Sequence, residues 1–148
     1  MGHVSINDLL TDLRKAAEEC RLTEDVCELL TSFFQFLPTP AWIKVVQPDG
    51  DLVMVRVNRE YERQCGITAE QYRAQQDSRV WAPGHADPMH LNDLRVIASQ
   101  KVLEIEETTT DPQTGELRVW RVVKWPVVRD GRVIAVCGVA QAKDEAHV

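Results

Sequence analysis

The stretch from Ala41 to Gly66, AWIKVVQPDGDLVMVRVNREYERQCG, constrains the fold more than any other. Two β-rich runs, Trp42 to Val46 and Leu52 to Val57, flank the turn formers Gln47-Pro48-Asp49-Gly50, which predicts an antiparallel hairpin. Asn58 can then leave the strand and set its side-chain oxygen on the free amides of a new helix. Glu60 and Glu62 place negative charge near that helix's positive end. Gly66 suits the left-handed residue that closes such a helix. The segment reads strand, turn, strand, capped helix, and recognition is expected where that helix leaves the sheet.

Residues 5 to 37 have a helical pattern. Ser5 and Asp8 have cap spacing, and Ile6, Leu9, Leu10, Leu13, Ala17 and Cys20 form an apolar stripe. A second helix is expected from a Thr23 cap, with Glu24 and Asp25 in its first turn. Its apolar face is Val26, Leu29, Leu30, Phe33, Phe34 and Leu37, and Pro38-Thr39-Pro40 stops it. The two stripes carry more apolar surface than a solvated appendage would tolerate.

Beyond Gly66, Thr68 and Gln71 have capping-box spacing and open a short helix through Tyr72. Residues 74 to 84 read as a loop anchored by Val80 and Trp81. Asp87-Pro88 is expected to start the next helix, with Leu91, Leu94, Ile97 and Ala98 on its apolar side through about Ser99. Three strands follow: Val102 to Thr110, Glu116 to Val128, and Arg132 to Ala140, the last two joined by the tight-turn pair Asp130-Gly131. The central strands carry bulk on both faces, so both faces should be covered. The residues 58 to 99 can cover one; the N-terminal helices or a second subunit are available for the other.

At 148 residues with 44% hydrophobic content, the chain can bury one substantial core. A formal charge of −6 and no basic run argue against a nucleic-acid partner. No stretch approaches the roughly 18 apolar residues that span a bilayer, so no membrane partner and a cytoplasmic location are expected. Cys20, Cys27, Cys65 and Cys137 lack metal-ligand spacing and read as reduced core residues. No nucleophile and base can be paired, and no phosphate loop is present. Glu104, Glu106 and Glu107 read as a solvated strand edge. Lys124 is expected to pair with Glu104 or Glu106 across strands, the competing reading being a buried cation that selects an anionic ligand. His85 and His90, five residues apart, fall on different helix faces and do not form a metal pair.

The ordered combination of WIKVVQPDGDLVMVRVN, the helix YERQCGIT after Asn58, the strand start LEIEE and the closing pair VWRVVKWPVVRDGRVIAVCGVA resembles the PAS family of sensory domains. The resemblance implies an α+β fold, a five-stranded antiparallel sheet with helices on one face. Residues 1–37 would be an N-terminal helical segment for dimerisation or sheet cover, 38–142 the PAS-like domain and 143–148 a tail. It implies a bacterial signal-sensing module, not an enzyme, that binds a small ligand and transmits a conformational change to a signalling effector. A homodimer through the N-terminal helices is expected. The family's geometry implies a pocket lined by Tyr61, Tyr72, Trp81, His90, Leu94 and Val123. Haem-binding members often carry the iron ligand near His85 and His90, which makes a haem gas or redox sensor the first alternative. The Asn-Cys-Arg-Phe-like segment of flavin photosensors is missing, and Ala140-Gln141-Ala142-Lys143-Asp144 stands where many members have an Asp-Ile-Thr-like output triplet. A small enzyme with a cone-shaped nuclear-transport-factor-like fold is the rival class, disfavoured because a hairpin precedes most of the connecting helices.

Overall fold

The computed structural model describes residues 5–20 and 26–143. The chain divides into two compact units, the first ending at Gln35 and the second beginning at Phe36.

The first unit holds α1 (Ile6–Glu19) and α2 (Val26–Gln35). The Ser5 hydroxyl accepts from the Asp8 amide at 3.1 Å while the Asp8 carboxylate receives the Ser5 amide, a reciprocal cap that satisfies two otherwise orphaned donors. Leu9, Leu10 and Leu13 on α1 and Leu29, Leu30 and Phe33 on α2 are exposed. The expected Thr23 cap lies outside the described residues.

The second unit is a five-stranded antiparallel sheet in the order β2-β1-β5-β4-β3, built from β1 (Ala41–Val46), β2 (Leu52–Val57), β3 (Leu103–Thr110), β4 (Leu117–Arg129) and β5 (Arg132–Ala142). The helices α3 (Arg59–Cys65), α4 (Ala69–Tyr72) and α5 (Pro83–Ser99), with a 3-10 turn at Asp77–Arg79, run between β2 and β3. They cover the sheet face that carries Trp42, Met54, Trp120 and Val122, and Tyr61, Tyr72, Ala86 and Met89 meet these residues in the core. The helices from 68 to 99 therefore pack on the core face of the sheet, as the family resemblance requires.

Asn58 fixes the turn from strand to helix. Its Oδ1 accepts from the Tyr61 amide at 3.0 Å and the Ala41 amide at 2.9 Å, and its Nδ2 donates to the Thr39 carbonyl at 2.9 Å. One buried side chain thus caps α3 and ties it to β1. Gly66 closes α3 at φ +72, where a Cβ would also sit 2.6 Å from Pro112 Cγ.

The expected start of α5 at Asp87-Pro88 is corrected: the helix begins at Pro83, whose missing amide costs nothing at the first position, and Pro88 lies inside it. Its apolar face is corrected too. Ala86, Met89, Asp93 and Val96, spaced by three and four residues, are buried, while Leu91 and Leu94 are exposed. The loop expected over residues 74 to 84 contains the 3-10 turn.

Strand alternation sends Ile43, Val45, Val123, Trp125 and Val139 to the opposite face of the sheet, where each is half-buried.

Candidate functional site

A chain of buried charges runs through the core of the second unit. Lys44 projects from β1 and contacts Asp77 of the 3-10 turn and Asp93 of α5, each at 2.6 Å. Lys124 projects from β4, reaches the other Asp93 oxygen at 2.8 Å and Glu107 of β3 at 2.6 Å, and donates to the Met89 carbonyl at 3.2 Å. Tyr72 donates to Asp77 at 2.5 Å, and Asn92 donates to Glu107 at 3.1 Å. All five charged side chains are buried.

Burial of this kind is tolerable only because each charge has a partner of opposite sign at contact distance. Burial alone would raise the Asp93 carboxyl, but Lys44 and Lys124 outweigh it and hold the group below the usual carboxylate range. Burial likewise pulls the Lys44 ammonium down, and Asp93 and Asp77 outweigh it, holding the group above its ordinary value. Asp93 is the shared centre, its two oxygens joining the ammonium groups of two different strands.

A cavity of about 30 Å³ opens against this cluster. Trp42, Met54, Tyr61, Tyr72 and Trp120 supply apolar and aromatic wall, while Lys44, Lys124 and Glu107 supply charge. The Trp120 indole donates to Thr109 at 2.7 Å, fixing that ring at the wall. Tyr61 packs edge-on to both Trp42 and Tyr72. Burial pushes the Tyr61 and Tyr72 hydroxyls well above their ordinary range, so both stay protonated at neutral pH. Cys65 also reaches the cavity, and burial pushes its thiol up to about 12, which leaves it protonated and unreactive.

Of the residues expected to line a pocket, Tyr61 and Tyr72 reach this cavity. Trp81 lies in the same core cluster without lining it, and its buried indole N–H approaches the Tyr61 and Tyr72 hydroxyls with no well-formed hydrogen bond. The remaining three lie elsewhere. His90 and Leu94 are exposed on α5, because the helix turns Met89 and Asp93 inward instead. Val123 points to the opposite sheet face, one residue out of phase with Val122 and Lys124.

Two expectations about charge are corrected. Glu107 is buried against Lys124 and Asn92, not part of a solvated edge, because it shares the inner face with Ile105 and Thr109. Lys124 pairs with Asp93 and Glu107, not with Glu104 or Glu106. Lys44, Asp77 and Asp93 had no place in the sequence reading, although a lysine between Trp42 and Val46 on one strand face is a detectable anomaly.

No described histidine lines the cavity. His85 instead contacts the Thr108 and Thr110 hydroxyls at 3.2 and 2.9 Å. The residues here do not fit haem, since no imidazole among the described residues lines the cavity and the space is far smaller than a porphyrin.

Comparison with curated protein sequences finds no match. Among solved structures, the PAS domain of a protein from Colwellia psychrerythraea aligns with a TM-score of 0.62 and 13% identity, over 80% of this chain and 97% of that one. A LOV protein of Rhodobacter sphaeroides aligns at 0.66 and 11% identity, over 82% of this chain and 68% of that one. VqmA of Vibrio cholerae, solved with ligand and DNA, aligns at 0.63 and 19% identity, over 78% of this chain but only 50% of its own. At these identities the likeness shows the fold. A family profile described as the PAS fold matches residues 36–147, most of the sequence and all of the sheet, and the chain belongs to the PAS family.

Proposed function

We propose that this protein is a sensor module that binds a compact small molecule in the cavity between the sheet and its helices and relays occupancy as a conformational change, without catalysing a reaction itself. The observation that carries this reading is the placement of Lys44, Lys124 and Glu107 at the wall of a cavity otherwise lined mostly by apolar and aromatic side chains. Buried charge is costly, and an apolar core of the same volume would stabilise the fold as well or better. Charges retained at a cavity are suited to orienting a ligand. VqmA, of similar fold, is described both as bound to DPO and as a dimer.

The cluster also supplies the relay. Asp93 joins α5 to β1 and β4, and Glu107 joins the same network to β3. A ligand that competes for any one of these groups alters the hold of α5 on three strands.

The exposed apolar stripes on α1 and α2 support a homodimer through the N-terminal segment. Native mass spectrometry of protein purified from cells tests both parts together. A dimer carrying extra mass that is released on denaturation supports the reading. Bare mass from every growth condition, with no binder in a metabolite screen, refutes the ligand.

A further inference from the structure

The cavity, at about 30 Å³, holds little more than water unless one of its walls moves. The sheet is fixed by its ladder, α3 is tied to β1 through Asn58, and α5 is pinned by Asp93 to β1 and β4. The segment 73–82, between the end of α4 at Tyr72 and the start of α5 at Pro83, backs the cavity where Lys44 and Tyr72 form its wall.

Asp77, in this segment, stands between two spaces. Its carboxylate takes Lys44 at 2.6 Å and Tyr72 at 2.5 Å. The same residue lines an outer pocket of about 260 Å³ together with Asp51, Gln76, Ser78 and Asp87. One side chain therefore separates the outer pocket from the wall of the inner cavity.

The segment is closed at a local cost. Ala74 sits at φ +59, in the left-handed region that an alanine side chain disfavours. There its amide donates to the Met54 carbonyl at 2.8 Å, while the Met54 amide donates to the Gln75 carbonyl at 2.9 Å. Near the other end, the buried Trp81 indole N–H has no hydrogen-bond partner, and an unpaired buried donor is destabilising. Lifting the segment relieves both, because Ala74 regains the ordinary backbone region and water reaches the indole. Against this stand the packing of Val80 and Trp81 on the core, the two backbone bonds at Met54 and the hold of Asp77 on Lys44.

Resting on the ligand-sensor reading above, we infer that residues 73–82 are a strap that lifts to join the outer pocket to the cavity, with Asp77 as its latch. Lifting takes Asp77 into water and leaves Asp93 on Lys44, so neither charge is stranded in the core.

Hydrogen exchange followed by NMR on the full chain tests the latch. In the wild type, the Met54 and Ala74 amides and the Trp81 indole N–H are expected to exchange faster than the amides of β4 and β5, which need wider unfolding. Asp77→Asn is expected to speed the first group about tenfold or more and the second less than about threefold. Ala74→Gly removes the left-handed cost and is expected to slow Met54 exchange about threefold. That variant decides the matter if Asp77→Asn does not fold. Equal rates for the two groups in the wild type, or a uniform change in both variants, overturn the strap.

Fluorescence quenching by acrylamide, a small neutral probe, tests entry. The background Trp81→Phe/Trp125→Phe keeps only Trp42 and Trp120, both buried at the cavity wall. Adding Asp77→Asn is expected to raise the quenching constant about threefold or more. Faster strap exchange with unchanged quenching overturns the entry route. A co-purifying molecule in the native mass spectrum of a protein whose strap fails these tests still upholds the sensor reading, with another entrance.

Discussion

Lys124 and Asp93 meet at 2.8 Å with both side chains almost completely buried, joining the fourth strand to the last helix across the core. Neither charge is tolerable there alone, so the pair adds an ionic tie to the apolar contacts that Ala86, Met89 and Val96 of α5 make with the core.

Lys124→Met leaves Glu107 with only Asn92 and Asp93 with only Lys44. The expected loss is about 3–5 kcal/mol of unfolding free energy, the usual cost of breaking a buried pair from one side. Urea denaturation measures it. The double variant Lys124→Met/Glu107→Gln should recover part of the loss, since the second substitution removes a charge the first leaves uncompensated.

The pH dependence has two edges. Asp93 has a lowered folded-state value, so its contribution is present above the ordinary carboxylate range and is lost as pH falls through the folded value. Lys44 has a raised folded-state value, so its contribution is complete below the ordinary lysine range and is lost as pH rises through the folded value. Thermal unfolding across pH should show a plateau between about pH 4 and pH 8.5, the unperturbed Asp and Cys values, with losses outside it, the buried Cys65 thiol adding to the alkaline loss. Lys44→Met should remove the alkaline edge that Lys44 contributes.

Gly138 faces Trp42 so closely that a Cβ would overlap the indole ring. Gly138→Ala should push that ring toward the cavity and cost about 1–3 kcal/mol, as overpacking does. The near-UV circular dichroism of Trp42 should change and ligand affinity should fall together.

Asn58→Ala removes the cap of α3 and strands the Ala41 and Tyr61 amides and the Thr39 carbonyl. About 2–3 kcal/mol of destabilisation is expected, from a lost cap plus buried unpaired groups. Asn58→Asp keeps the acceptor, loses the donor to Thr39 and should fall between.

Leu13 and Phe33 are 45% and 70% exposed on α1 and α2. Leu13→Asp and Phe33→Asp should each shift the protein from dimer to monomer in light scattering coupled to size exclusion, with little change in the unfolding of the second unit. A wild-type monomer at the same concentrations would remove the dimer role of these helices.

Local signals made much of this fold readable. The helix caps formed by Asn58, Gly66 and the Thr68-Gln71 box act through hydrogen bonds within a few residues, so their sequence spacing and their geometry are the same fact. The β strands were legible because turn formers bound them. The face of α5 was not: Leu91 and Leu94 are the obvious apolar choices, yet Asp93 is buried because Lys44 and Lys124, 49 and 31 residues away, wait for it. The candidate site was only half legible for the same reason. Tyr61 and Tyr72 follow from the fold, whereas Glu107 is indistinguishable from Glu104 and Glu106 until strand phase sets which of them turns inward. Ion pairs between distant elements leave no periodic trace in a single chain.

The most direct measurement is native mass spectrometry of the wild type beside Ala140→Leu, whose added carbons would fill the cavity from β5 while the charged cluster stays intact. The expected result is bound small-molecule mass on the wild type and bare mass on a folded Ala140→Leu protein. Equal ligand loading on both would place the bound molecule outside this cavity and contradict a sensor built on Lys44, Glu107 and Lys124.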